Sequence, residues 1–256
     1  MIHLSDRDRQ ILDGLRNFGF LSARQIERTC FQMPEATAIG ATRRAQRVLR
    51  RLTDQRLIER LARRQGGVRG GSGSFTYRLA PRGHQALGLT SRGSYRPPSE
   101  RFVDHCLAIA EIATGLTEAE HNGRIEELQL ATEPDTWRRF QTPSGVVTLK
   151  PDLAVDCTVD GWDLRWFIEA DRGTEHLPTV IAKAKLYERY WRSGSEDHPI
   201  FPRVLWSTPD ERRAAQIADA LRRPRSLTPD LFTTATAAET VGAITATNDT
   251  QKGGQP

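Results

Sequence analysis

Apolar positions recur at helical spacing from the first turns of the chain. Ile11, Leu12, Leu15 and Phe18 predict a helix that Ser5-Asp6-Arg7-Asp8 opens and Gly19 ends. Ser5 is placed to cap its free N–H groups, and the acids sit at the positive end of its dipole. Leu21-Ser22 begins a short second helix capped by Ser22, with Ile26 and Cys30 inward and Pro34 closing the turn after it. A third helix is predicted over roughly Ala38 to Gln55, where Ala45, Val48, Leu49 and Leu52 share one arc. Leu57 to Leu61 reads as a short strand, and Phe75 to Leu79 alternates as a returning one. Between them lies a glycine-rich tip, residues 63–74. After it, Tyr77 to Leu87 runs through a Pro-x-Gly turn into another helix.

Residues 90–99 are polar, rich in Pro, Gly and Ser, and without periodicity, as a linker is. A helix follows from about Ser99 to His121, with Phe102, Cys106, Ile109, Ala113 and Leu116 on one face and Asn122-Gly123 as its stop. Strands are predicted over Ile125 to Leu130, Thr136 to Gln141, Val146 to Thr158 and Leu164 to Ala170. The Thr142-Pro143-Ser144-Gly145 turn makes the second and third of these a hairpin. A helix over Pro178 to Trp191, a strand over Phe201 to Ser207 and a helix from Pro209 to before Pro224 come next. A short strand at Asp230 to Thr234 and a disordered tail close the chain. The reading is α+β in two parts. A winged helix-turn-helix domain (1–92) and a linker (93–99) precede an α/β domain (100–243) and a tail (244–256).

Composition narrows the classes. No apolar run approaches the roughly 18 residues of a membrane span. Met1 to Arg9 is polar, carries both charge signs and lacks the apolar core of a secretory signal. Cys30, Cys106 and Cys157 lie far apart with no CxxC or Cys/His spacing, which argues against a zinc site or disulfide framework. A cytoplasmic chain with no membrane partner is the expectation.

Charge is unevenly spread. Residues 1–99 hold 19 arginines, no lysine and 7 acids, a balance of +12, whereas the rest of the chain carries −7. Abundant arginine accounts for Arg replacing Lys, but not for acids avoiding the first part. A basic part beside an acidic one points to a polyanion as partner of the first. On the third helix Arg43, Arg44, Arg47, Arg50 and Arg51 fall opposite the apolar arc. So one-sided a surface suits a major groove, where arginine contacts phosphates or forks to guanine. The bland counterpart is a solvated helix face. Arg63, Arg64 and Arg69 on the glycine-rich tip suit a backbone or minor groove. The segment from Tyr77 to Leu87 resembles the wing exit of bacterial winged-helix regulators.

Two acids mark the later strands. Pro151-Asp152 interrupts one, and Glu169 ends the next, followed by Ala170-Asp171-Arg172. The arrangement resembles the PD-(D/E)xK nuclease core. The resemblance implies Mg²⁺, or Mn²⁺, held by Asp152 and Glu169, since hard cations take carboxylate oxygens. The carbonyl of Ala170 would be a further ligand and Glu111 an outer carboxylate. The position two after Glu169 is Asp171 where that pattern has lysine. Lys183 or Lys185 on the following helix can stand in. Both flank the stripe of Ile181, Ala184, Tyr187 and Trp191, so periodicity leaves the choice open. Arg172 is a weaker candidate.

Three stretches carry a wider resemblance: Leu149-Lys150-Pro151-Asp152-Leu153-Ala154, then Phe167-Ile168-Glu169-Ala170-Asp171-Arg172-Gly173-Thr174-Glu175, then Lys185-Leu186 with Tyr187 and Tyr190. Together they look like the replication-relaxation family over roughly residues 5 to 207. The resemblance implies a winged helix fused to a nuclease-like domain, with Asp171 a family feature. It also implies a protein of plasmids or mobile elements, associated with replication or with DNA relaxation and mobilisation. Three functions stay open. The first is a sequence-specific double-stranded DNA-binding initiator or mobilisation factor, working with other replication or mobilisation proteins. The second is a metal-dependent endonuclease or nickase using Asp152, Glu169, Asp171 and a helical lysine. The third is a transcriptional repressor whose second domain forms a homodimer. Without cleavage, no cofactor is expected.

Overall fold

The structure is a computed structural model that describes residues 3–31, 38–61, 75–89, 97–196 and 198–246. The chain is α+β and divides into two units, Met1–Thr114 and Gly115–Pro256. The division falls inside a long helix; most of the expected linker, residues 93–96, lies outside the described residues.

In the first unit, helix α1 (Asp6–Phe18) begins with a reciprocal cap. The Asp8 amide donates to the Ser5 hydroxyl, and the Ser5 amide donates to the Asp8 carboxylate. Gly19, at φ 73°, ends it in the left-handed region. Leu21–Ser22 is not the start of a helix. It forms a short strand, β1, because its backbone finds a ladder partner in β3 (Thr76–Leu79), with Leu21 opposite Tyr77. Ser22 still caps α2 (Ala23–Cys30), in a second box with Gln25. Helix α3 (Ala38–Asp54) is followed by β2 (Ile58–Arg60), and β3 by α4 (Pro81–Ala86). The sheet runs β1-β3-β2, all antiparallel. Ile11, Leu12, Leu15, Ile26, Leu49 and Leu52 fill the core beneath it. The Pro-x-Gly turn proves to be the first turn of α4. Gly83 is needed there because a Cβ would stand 2.1 Å from the Leu57 carbonyl oxygen.

Helix α5 (Glu100–His121) contributes its early turns to this unit. Cys106, Ala113 and Leu116 of its expected face are buried, joined by Val103 and Ala110, while Phe102 is exposed and meets the edge of Phe20.

The second unit is built on a five-stranded mixed sheet of order β10-β9-β8-β7-β4. Strands β4 (Glu127–Thr132), β7 (Leu153–Val159) and β8 (Trp162–Ala170) form an antiparallel meander. Helix α6 (Leu177–Ser193) crosses to β9 (Arg203–Thr208), which runs parallel to β8. Helix α7 (Glu211–Arg222) and a 3₁₀ turn lead to β10 (Phe232–Thr236), parallel to β9, and α8 (Thr240–Thr245) follows. Ile244 of α8 is buried, so order continues into the start of the expected tail.

The expected strand over Val146 to Thr158 is two strands. Lys150-Pro151-Asp152 breaks it, because proline cannot donate to a ladder. The first piece, β6 (Gly145–Leu149), pairs with β5 (Arg138–Thr142) as a separate two-stranded ribbon. The second piece is β7. Its turn into β8 uses Asp160 and Gly161, both at positive φ, a backbone that matches strand twist in a tight hairpin. Phe167, Tyr187, Tyr190 and Trp206 are the large side chains of this unit's core.

Candidate functional site

Two assemblies collect the chemistry, one in each unit. The first is the polar side of α3. At 100° per residue, Arg43, Arg47 and Arg50 point away from the arc of Ala45, Val48, Leu49 and Leu52, while Arg44 and Arg51 lie nearer its edge. The structure separates them accordingly. Arg43, Arg47 and Arg50 are exposed, and among the described residues none has an ion-pair partner. Arg51 reaches back to the buried carboxylate of Asp8 and ties α3 to α1. Burial works to raise the Asp8 pKa, but the bonds from Arg51 and Ser5 outweigh it and hold the group below its ordinary value. Arg44 is half-buried, and its Nη2 has no hydrogen-bond partner among the described residues. The predicted five-arginine face is therefore three outward guanidiniums, a fourth, Arg51, tied to Asp8, and the half-buried Arg44. Beside them a groove of about 1450 Å³ is lined by Arg24, Arg50, Arg56, Arg60 and Arg82 together with Glu27, Asp54 and Glu59. Arg63, Arg64 and Arg69 lie outside the described residues.

The second assembly lies where β7, β8 and α6 meet. Asp152 stands at the proline break just before β7, and its Oδ2 accepts the Ala170 amide at 2.9 Å. Glu169 is near the end of β8 and only 3% exposed. Its two oxygens accept the Lys183 ammonium and the Tyr187 hydroxyl, both from α6. Lys183 and Tyr187 are four residues apart and so share a helix face. Lys185 lies on the other side and is exposed. The structure thus brings Asp152, Glu169 and Lys183 together and leaves Lys185 outside.

Burial is the strongest influence on Glu169. It overrides Lys183 and, with the nearby Asp152 charge, pushes the carboxyl pKa up to about 8. Lys183 is also partly withdrawn from water, but Glu169 and Asp152 hold its pKa above the ordinary lysine value. Tyr187 is raised well above its usual value by burial and then by Glu169.

Asp171 is occupied differently. Arg213 of α7 grips its carboxylate with two N–H groups at 3.0 and 2.7 Å, and Gly173 donates its amide at 2.6 Å. The same guanidinium donates to the Glu175 carbonyl at 2.6 Å, so the Asp171-to-Glu175 run is folded around Arg213. Glu111 belongs to the first unit, where Arg28 and Gln25 bond its carboxylate. Sequence reasoning did not identify Tyr187, Arg213 or Asp8 as partners. Only Tyr187 had a signal, its four-residue spacing from Lys183.

Asp152 and Glu169 are hard oxygen donors at neighbouring strand ends, and an ammonium cation already sits on Glu169. In donor chemistry this pair fits a divalent ion of the Mg²⁺ or Mn²⁺ kind. Among the described residues no group of three or more His, Cys, Asp or Glu side chains is arranged to hold a metal. Asp171 and Glu111 therefore do not complete such a set.

The sequence profile of the replication-relaxation family matches residues 12–204, which span both assemblies. The chain belongs to the replication-relaxation family. Membership ties it to a role in replication or relaxation. No curated protein matches the chain, and no solved structure does. No helix among the described residues is long and apolar enough to cross a membrane.

Glu169 in the folded chain holds a proton that the unfolded chain releases near pH 4.5. Raising the pH from that value to about 8 therefore lowers the stability of the fold. Urea denaturation across this range should show the wild type losing stability with rising pH relative to Glu169→Gln. An identical pH dependence in the two proteins would contradict the assignment.

Proposed function

We propose that this replication-relaxation protein is a sequence-specific double-stranded DNA-binding protein of a plasmid or other mobile element. It acts in replication initiation or in DNA relaxation and mobilisation, with other replication or mobilisation proteins as partners. The observation that carries the reading is the outward trio Arg43, Arg47 and Arg50 on α3, exposed and without ion-pair partners among the described residues. Like charges on one helix face repel each other. A phosphate backbone relieves that repulsion, and a guanine edge can use the guanidinium fork.

The first unit supports a winged helix-turn-helix reading. Two capped helices lead to α3, a two-strand return follows it, and the sheet runs β1-β3-β2. In that architecture the third helix enters the major groove. The second unit supports a nuclease-like reading. Its antiparallel meander, crossover helix and parallel strands carry Asp152 and Glu169 at adjacent strand ends.

A second reading, a metal-dependent endonuclease or nickase, is favoured by one observation: Asp152, Glu169 and Lys183 converge. A bound divalent ion would supply Lewis acidity at a phosphoryl oxygen and a more acidic water. Asp152 and Glu169 are the residues that would hold it. Tyr187 keeps Glu169 oriented through one oxygen, so that Lys183 can turn its ammonium from the other towards a phosphate. Asp171 does no chemistry in this reading. With Arg213 it fixes the loop after β8.

Replacing Arg43, Arg47 and Arg50 together by Ala should weaken binding to a duplex carrying the DNA beside the gene by at least about a hundredfold, at roughly 1 kcal/mol or more per arginine. Unchanged affinity in a fluorescence-anisotropy titration would remove α3 as the reading helix. For the second reading, supercoiled plasmid incubated with Mg²⁺ or Mn²⁺ should convert to open circles, and Glu169→Gln and EDTA should each stop the conversion. Binding without nicking would reject cleavage and leave the first reading in place.

A further inference from the structure

We infer that the outer face of the β5–β6 ribbon is a platform for unpaired DNA beside the acid cluster. The inference rests on the DNA-binding reading and adds a second surface, suited to a single strand.

The ribbon has two unlike faces. Paired residues of an antiparallel ladder share a face, and the faces alternate along each strand. Arg138 with Leu149 and Phe140 with Val147 turn inward. Phe140 and Leu149 are buried, and the Phe140 ring lies 5.2 Å from that of Tyr190 on α6. Arg138 rests over Phe167 at 5.4 Å and pairs with Glu196. These contacts anchor the ribbon from below. Arg139 with Thr148 and Gln141 with Val146 turn the other way, and Val146 is 67% exposed.

At the base of this outer face stands Trp137, 37% exposed, with the Lys150 ammonium 4.0 Å from its ring centre. Folding leaves this large aromatic side chain partly exposed, with Lys150 over its ring and the exposed Arg139 close in sequence. The combination is what a single strand uses, since bases stack on aromatic rings and cations follow the phosphates. A duplex keeps its base faces covered and gains little from the indole.

The place of the platform matters as much as its composition. The Thr136 hydroxyl donates to the Pro151 carbonyl at 2.7 Å, and Thr136 is fully buried. That bond joins the residue before Trp137 to the residue before Asp152. A base on Trp137 would therefore bring its strand to the edge where Asp152 and Glu169 lie. Glu133 and Asp135, in the turn before Trp137, bound the cationic stretch in sequence.

The test uses the full chain and two probes, a fluorescein-labelled oligodeoxythymidine of about 16 nucleotides, the upper site size of such platforms, and the duplex from beside the gene. Trp137→Ala should weaken oligodeoxythymidine binding at least about fivefold, as expected for one lost stacked base. Trp137→Phe should retain most of the affinity, and both variants should bind the duplex as the wild type does. Lys150→Gln, at an exposed position, should also weaken the single-strand probe and serves if Trp137→Ala does not fold. Wild-type affinity for the single strand in both Trp137→Ala and Lys150→Gln would overturn the platform. So would a wild type that binds the duplex but not the oligodeoxythymidine, and that result would leave α3 as the duplex reader. If Arg43, Arg47 and Arg50 can be removed without effect on the duplex while Trp137→Ala still weakens the single-strand probe, the α3 reading fails and the platform stands.

Discussion

A carboxylate withdrawn from water is costly unless cations or hydrogen-bond donors meet it, and each unit of this chain meets that constraint with a contact between elements. In the second unit Glu169, deep in β8, is met by Lys183 and Tyr187 from α6, which fixes the crossover helix over the sheet. Asp171, two residues on, is met by Arg213 from α7. Glu188 on α6 receives the Thr228 amide and hydroxyl, which binds the approach to β10 to the same helix. In the first unit Asp8 closes the cap of α1 and receives Arg51 from α3. That pairing consumes one arginine and helps set which side of α3 faces outward.

This division of labour gives the chemistry its layout. On α3, Arg51 serves the fold through Asp8, and Arg43, Arg47 and Arg50 stay solvated and available to a polyanion. Acids behave likewise. Asp171 is bound into the structure by Arg213, whereas Asp152 and Glu169 share an edge with Lys183. Burial, with the Asp152 charge, raises the Glu169 pKa against the pull of Lys183, while Glu169 and Asp152 hold Lys183 charged. The β5–β6 ribbon extends the same principle. Its inner face is committed to the core, and its outer face keeps Arg139, Gln141 and Val146 exposed.

Much of this was legible in the sequence, because it rests on local rules. Ser5 and Ser22 cap their helices as the spacing predicts, and Ala45, Leu49 and Leu52 are buried as their period requires. The Thr142-to-Gly145 hairpin and the strand carrying Glu169 also appear where expected. The departures have physical causes. Leu21–Ser22 became a strand because its ladder partner lies more than fifty residues on. Pro151 split a stretch whose alternation on either side reads as one strand, because proline cannot donate to the ladder. Lys183 was separable from Lys185 by its four-residue spacing from Tyr187, a rule that applies only once Tyr187 is seen as a polar partner and not just as core. Arg213 carried no signal, since nothing local links it to Asp171, forty-two positions earlier.

The claim that bears most of the account is that the arginine-rich unit neutralises DNA phosphates. The direct measurement is wild-type affinity for the duplex across a series of salt concentrations. Each neutralised phosphate adds about −0.9 to the slope of log K against log salt. Engagement by Arg43, Arg47 and Arg50 predicts a slope of about −2.7 or steeper on that scale. A slope near zero, or no binding at low salt, would contradict it.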